Sequence, residues 1–176
     1  PNNKTTMLFD GCNSFAERKK LIDGAKESIC LQTSIFTDDE TGWDVAKQLA
    51  AAAERGVKVR LIYDGLGSNR SDEKIFDFMK KAGVEVREYG DPMRQFWDIN
   101  NRWHEKHLIV DGKTSIEGGM NIADEYAFGG SGRLALRRPK ESQTAWRDCD
   151  MKTQWPAGRG AQAALLKRWE ELGAAV

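Results

Sequence analysis

The chain has 176 residues, of which 27 are Lys or Arg, 27 are Asp or Glu and 40% are apolar. That length supports one well-buried domain and not two of ordinary size, and the apolar content argues against a disordered chain. Balanced charge provides no chain-wide basic footprint, so nucleic acid is not the expected partner. In chain order, Phe15, Leu21, Ile22 and Ala25 share one helical face, with Glu17, Arg18, Lys19 and Lys20 expected largely outside it. Ser28 to Phe36 predicts a strand that opens on the apolar run Ile29-Cys30-Leu31. Ala46, Leu49, Ala50 and Ala53 mark a second helix, and Gly56 is placed to stop it. Val57 to Tyr63 alternates and then turns wholly apolar, as a strand entering a sheet core does. Ser71 is the predicted N-cap of a third helix with Ile75, Phe76 and Met79 on its buried face; Gly83 ends it, and Val84 to Val86 is a short strand.

This strand-helix alternation predicts parallel strands joined by crossover helices. The pattern breaks after Gly90, where Phe96, Trp97 and Trp103 lie in an irregular aromatic stretch. His107 to Val110 and Thr114 to Ile116 then flank Asp111-Gly112, a dipeptide that favours a tight hairpin. A strand around Cys149 to Trp155 and a helix using Leu165, Trp169 and Leu172 are separated by Pro156. The expected fold is therefore α/β: a mixed, mostly parallel sheet with helices on both faces, forming one domain over residues 1–176.

Cys12, Cys30 and Cys149 are scattered without paired spacing, which speaks for small buried hydrophobes rather than a disulfide framework. The chain opens on Pro1 without Met or an apolar leader, and holds no run long enough to span a bilayer. A soluble segment of a longer protein is the expectation.

The chemistry concentrates in His104-Glu-Lys106-His-Leu-Ile-Val-Asp111, followed by Gly118-Gly119-Met-Asn121. If the strand runs back to His104, alternation puts His104 and Lys106 on one face. A nucleophile or base beside a fixed cation suits phosphoryl transfer, because the ammonium neutralises oxygens on which charge builds in the transition state. Asn121 can offer an amide to the same oxygens, and the glycines remove side chains where a phosphate approaches the backbone.

These residue types and spacings together resemble the signature of the phospholipase D superfamily. Leu8-Phe-Asp10, Leu31 to Phe36, Leu61 to Asp64, Asn121 to Tyr126 and Trp146-Arg-Asp148 are similar to stretches of its cardiolipin synthase branch, in its first half. The resemblance implies His104 as the histidine that attacks the phosphodiester or protonates the leaving group, with Lys106 and Asn121 as phosphate ligands beside Gly118 and Gly119. Asp148 resembles a carboxylate that orients the histidine. Asp111 belongs to the motif, yet its place at a hairpin turn favours a structural part. Gly119 stands where the superfamily often has Ser. The implied mechanism runs through a phosphohistidine and needs neither metal nor cofactor, with a second histidine as proton donor.

Only two histidines are present, and alternation turns His107 away from His104. Each chain is thus expected to hold half a site, completed either by a second motif downstream in the parent or by a second copy. Phospholipid is the expected substrate, with the parent protein bacterial and at the inner membrane or its periphery. A dimeric nuclease of the same superfamily and a non-catalytic half are the alternatives. A zinc reading of His104 and His107 lacks both helical spacing and a third ligand. Asp64-Gly65-Leu-Gly67-Ser68 lacks the full pattern of a nucleotide loop and is read as a strand-to-helix turn. Arg133, Arg137, Arg138 and Lys140 are either a solvated loop or a means of drawing anionic lipid surfaces, at about 1 kcal/mol per basic residue. Phe96, Trp97 and Trp103 either pack ordinarily or line a lipid groove.

Overall fold

The computed structural model describes residues 2–90, 104–128 and 146–173. The aromatic stretch at residues 96, 97 and 103 and the basic cluster at residues 133–140 lie outside them.

The expected alternation of strand and helix is found. β2 (Ser28–Thr33), β3 (Lys58–Asp64) and β4 (Glu85–Tyr89) pair in parallel, linked by α2 (Glu40–Glu54) and α3 (Glu73–Lys81). β5 (His107–Val110) and β6 (Thr114–Gly118) form the hairpin, and β5 joins the parallel set by pairing antiparallel with β2. β7 (Cys149–Gln154) pairs with β6, and β1 (Lys4–Phe9) closes the far edge against β7. The strand order is β1-β7-β6-β5-β2-β3-β4. By direction the sheet is mostly parallel, since only β5 and β7 run against the other five strands. By ladders it is not: among the described residues four pairings are antiparallel and two parallel.

Strand alternation divides the core. Ile29, Leu31, Val59, Leu61, Leu108, Val110 and Ile116 face α1 (Asp10–Gly24), α2 and α3 in the larger cluster. Cys30, Ile62 and Ile109 point the other way and meet Leu165 and Trp169 of α5 (Ala157–Gly173), which follows the short α4 (Asp124–Ala127) in helix order. Fully burying one such Leu or Ile stabilises by about 1.5–3 kcal/mol, so one-residue register slips are strongly disfavoured.

Local chemistry explains most boundaries. Asp39 caps α2 by accepting from Gly42 N–H, and Gly56 follows its end at φ +86°. The cap of α3 is Asp72, not Ser71: its carboxylate accepts from Lys74 N–H, while the Ser71 hydroxyl donates to Phe36 O. The predicted strand at residues 28–36 stops at Thr33, and the remainder becomes a loop tied to the site.

At the β5–β6 hairpin, Asp111 and Gly112 have φ of 53° and 60°. The Asp111 side chain reaches back to accept from the backbone N–H groups of Lys26, Glu27 and Ser28, at 2.7 to 3.2 Å. Partial burial works to raise this carboxyl's pKa, but those three N–H groups outweigh it and hold the pKa below its ordinary value. A depressed carboxylate pKa stabilises the fold above the unfolded value, and that contribution is lost as pH falls through the folded one. Asp111→Asn keeps an oxygen acceptor and tolerates the left-handed backbone, but removes the charge. It is expected to cost about 1 kcal/mol near neutral pH, with the gap to wild type closing in acid. Turnover per folded molecule should be unchanged. Urea unfolding at several pH values, with activity measured alongside, checks both parts.

Candidate active site

The sheet brings its chemistry to one edge. The C-terminal ends of β2, β3 and β6 and the N-terminal ends of β5 and β7 meet there, the usual place for a site in an open α/β sheet. Three loops lock together at this edge. Phe36 N–H donates to the Ser68 hydroxyl (3.0 Å), Thr37 N–H to Ile122 O (3.0 Å) and Ile122 N–H to Ile35 O (3.1 Å). The stretch Asp64 to Ser68 is thus a turn that braces the rim.

His104 and Lys106 precede β5, which begins only at His107, so strand alternation is not what aligns them. They converge because the Lys106 side chain folds back. Its Nζ lies 3.1 Å from His104 Nδ1, donates to the Ser34 hydroxyl at 3.0 Å and also donates to His104 O. A protonated lysine only donates, so this contact makes Nδ1 the acceptor and leaves the ring proton on Nε2. The imidazole is exposed, whereas Lys106 retains only 2% of its accessible surface. Burial pushes the ammonium's pKa below its ordinary value; the carboxylates of Asp148 and Asp150 partly offset this. A desolvated cation beside an open imidazole is a strong anion site, because its field is poorly screened.

Asn121 is held on both ends. Its Oδ1 accepts from Ile35 N–H (3.0 Å) and from the Thr33 hydroxyl (3.3 Å), and its Nδ2 donates to Tyr126 Oη (2.9 Å). Burial raises the Tyr126 phenol pKa, keeping it a neutral partner. The second Nδ2 hydrogen has no partner among the described residues, and the side chain as a whole is buried, at 1% of its accessible surface.

Gly118 and Gly119 also answer a packing demand that their spacing does not show. A Cβ on Gly118 would collide with the Asp150 carboxylate, and one on Gly119 with that of Asp148. Their N–H groups point at Lys106 O and Cys149 O, each at 3.4 Å. The missing side chains therefore admit two carboxylates beneath the loop. Asp148 is half-buried, accepts from Cys149 N–H (2.7 Å) and presents its backbone O to Asp10 N–H (2.9 Å). The imidazole's described contacts are with Lys106 rather than with Asp148. Asp111 lies at the opposite end of β5, away from this cluster.

His107 is on the α5 face, as alternation required, with Glu105 Oε2 3.6 Å from its Nε2 and Glu117 Oε1 3.9 Å from its Nδ1. No cluster of three or more His, Cys, Asp or Glu able to hold a metal occurs among the described residues. Ser34, Thr33 and Tyr126 escaped the sequence reading. Thr33 and Ser34 showed there only as two hydroxyls at the end of an apolar strand, and Tyr126 only as the last residue of a stretch similar to the family.

The architecture, with its acidic and basic groups gathered at that edge, is that of the phospholipase D fold. It superposes on Nuc from Salmonella typhimurium, described as a phospholipase D family member, with a TM-score of 0.67 at 20% identity, covering 98% of this chain and 95% of that one. NucT from Helicobacter pylori gives 0.71 at 18% identity, covering 96% and 97%. Residues 19–129 match the family described as "Cardiolipin synthase, PLD-like domain", and the chain belongs to that family. It is 38% identical over 168 residues to cardiolipin synthase 1 of Bacillus cereus, covering 94% of this chain but 31% of that relative. The chain thus spans less than a third of the relative's length. Among the described residues, no helix is long and apolar enough to cross a membrane.

Proposed function

We propose that this chain is one half of an active site that cleaves or transfers phosphatidyl groups, with His104 as nucleophile. The observation that supports the reading is the grouping of an open imidazole, a buried ammonium and a buried amide with one N–H unpartnered among the described residues at one sheet edge. When a phosphodiester enters, Lys106 moves from Nδ1 to the phosphate oxygens and frees that nitrogen's lone pair. The N–P bond forms as the P–O bond to the leaving alcohol breaks, and a histidine of the second half supplies the departing oxygen with a proton. Water or an acceptor alcohol then gives its proton to that second histidine and attacks phosphorus, breaking the N–P bond. Asn121 and Lys106 hold the equatorial oxygens throughout, and Asp148 takes the Nε2 proton's partner role as the ring charges.

The second half is either a downstream domain of the parent or another copy of this chain, since His107 lies on the other sheet face. Phospholipid is favoured as substrate by the identity with a cardiolipin synthase and by the absence of net positive charge. A headgroup drawn from an anionic bacterial membrane surface fits the same reading.

The test supplies the chain together with its second half, using phosphatidylglycerol vesicles in one arm and duplex DNA in the other. Lipid turnover that disappears in His104→Ala, with DNA left intact, is expected. Cleavage of DNA with the lipid untouched moves the site to nucleic acid. Failure with both substrates rejects an active phosphodiesterase.

A further inference from the structure

Behind the Gly118-Gly119 loop is a buried ion pair that the proposed chemistry does not use. Arg18 of α1 and Asp150 of β7 retain 3% and 1% of their accessible surface, and Arg18 Nη2 lies 2.9 Å from Asp150 Oδ2. The Ser14 hydroxyl, one helical turn before Arg18, donates to the same carboxylate oxygen and accepts from Arg18 Nε at 3.2 Å. The pair does not stop at itself. Asp150 Oδ1 accepts from Met120 N–H (3.4 Å), and Arg18 Nη2 donates to Met120 O (3.4 Å). Both peptide groups flanking the Met120 Cα are therefore gripped from behind, immediately before Asn121.

A buried ion pair is weak evidence for stability, because desolvating both charges offsets much of their attraction, and apolar replacements are often neutral or stabilising. What an apolar pair of similar volume cannot do is hold an N–H and a C=O of one residue at the same time. Gly118 and Gly119 bring no side chains of their own, so the backbone here is held by their N–H bonds to Lys106 O and Cys149 O and by the two bonds to Met120. Asn121 reaches its place from two directions: Ile35 and Thr33 hold its side chain from the front, and Met120 sets its backbone from behind.

We infer that Arg18 and Asp150 are positioning residues that fix the reach of Asn121 toward a bound phosphate by clamping the peptide groups of Met120. The inference rests on the reading of Asn121 as a phosphate ligand. Neither residue touches the substrate. Their effect travels through the loop, where a displacement of about 1 Å is enough to weaken catalysis strongly.

Arg18→Lys keeps the charge but offers one nitrogen where the guanidinium uses two, Nη2 toward Asp150 and Met120 and Nε toward Ser14, so it cannot hold all three partners in place. The folded variant is expected to keep its thermal midpoint within a few degrees of wild type while its affinity for inorganic phosphate falls about tenfold. Backbone amide exchange at Met120 and Asn121 should accelerate, while β3 and β4 amides stay protected. In an Asn121→Ala background the same substitution should cause no further loss of phosphate affinity, because coupled residues are not additive. Ser14→Ala, which removes one hydroxyl, gives the same pattern at smaller amplitude and serves if Arg18→Lys does not fold. Unchanged Met120 exchange, or losses from Arg18→Lys and Asn121→Ala that simply multiply, overturn the clamp. If wild type binds no phosphate, the functional reading falls, and the clamp is still decided by Met120 exchange.

Discussion

Replacing His104 by Asn is expected to lower phosphodiester turnover by at least about 10⁴-fold, the scale on which losing a nucleophile acts. Stability should hardly change. The side chain is exposed and stands in irregular backbone before β5, where substitutions typically move stability by no more than about 0.5 kcal/mol. The amide can still accept from Lys106 but forms no phosphoryl-enzyme bond. Turnover by the complemented protein, with thermal melting beside it, separates the two effects. Near-normal turnover by the folded variant rejects His104 as the nucleophile.

The second large effect runs in opposite directions for stability and function. Lys106 is a buried cation whose folded-state pKa lies below its ordinary value. A lysine with a lowered folded pKa opposes folding at every pH where it must stay charged, fully so below that folded pKa. The penalty is relieved as pH rises from there to the unfolded value. Lys106→Met removes the charge at similar volume. It is expected to raise stability by about 1 kcal/mol, or a thermal midpoint shift of about 2–4 °C for a chain of this size. Phosphate binding and turnover should collapse together, because no other described cation lies at the imidazole. The exchange of stability for function is the one expected of a site that keeps an unfavourable charge for its chemistry. A variant that melts lower and still binds phosphate contradicts it. In wild type, the stability deficit should shrink as the pH is raised toward 10, which urea titrations can follow.

Much of this molecule was legible from periodicity. β2 and β3 with their helices stand out because one face of each strand is buried under the α1–α3 layer and the other under α5, while β4 at the edge is only partly buried. The hairpin was legible from Asp111-Gly112, because only residues tolerant of positive φ fit there. β1 was not: five of its six residues are exposed, so an edge strand leaves little hydrophobic pattern. Arg18 was misplaced for a related reason. Helix-face logic sends an arginine to solvent, while its carboxylate partner is 132 residues away and is supplied by the fold alone. At the site, spacing singled out His104, Lys106 and Asn121 as candidates, but the alternation expected to align the first two is not what brings them together. The pair meets by a side chain folding back, not by alternation on a strand. The glycines were read as clearance for a ligand, and the packing of Asp148 and Asp150 against them could not be read from the spacing. Long-range packing decides such matters, and no local window contains it.

The account's central claim is that the imidazole at residue 104 becomes covalently phosphorylated. Brief incubation of the complemented protein with phosphatidylglycerol, followed by alkaline quench and peptide mass mapping, measures this directly. The expected result is an acid-labile phosphatidyl adduct on the peptide's His104 and none on His107. Lipid turnover without any adduct at residue 104, or an adduct confined to residue 107, would contradict the account.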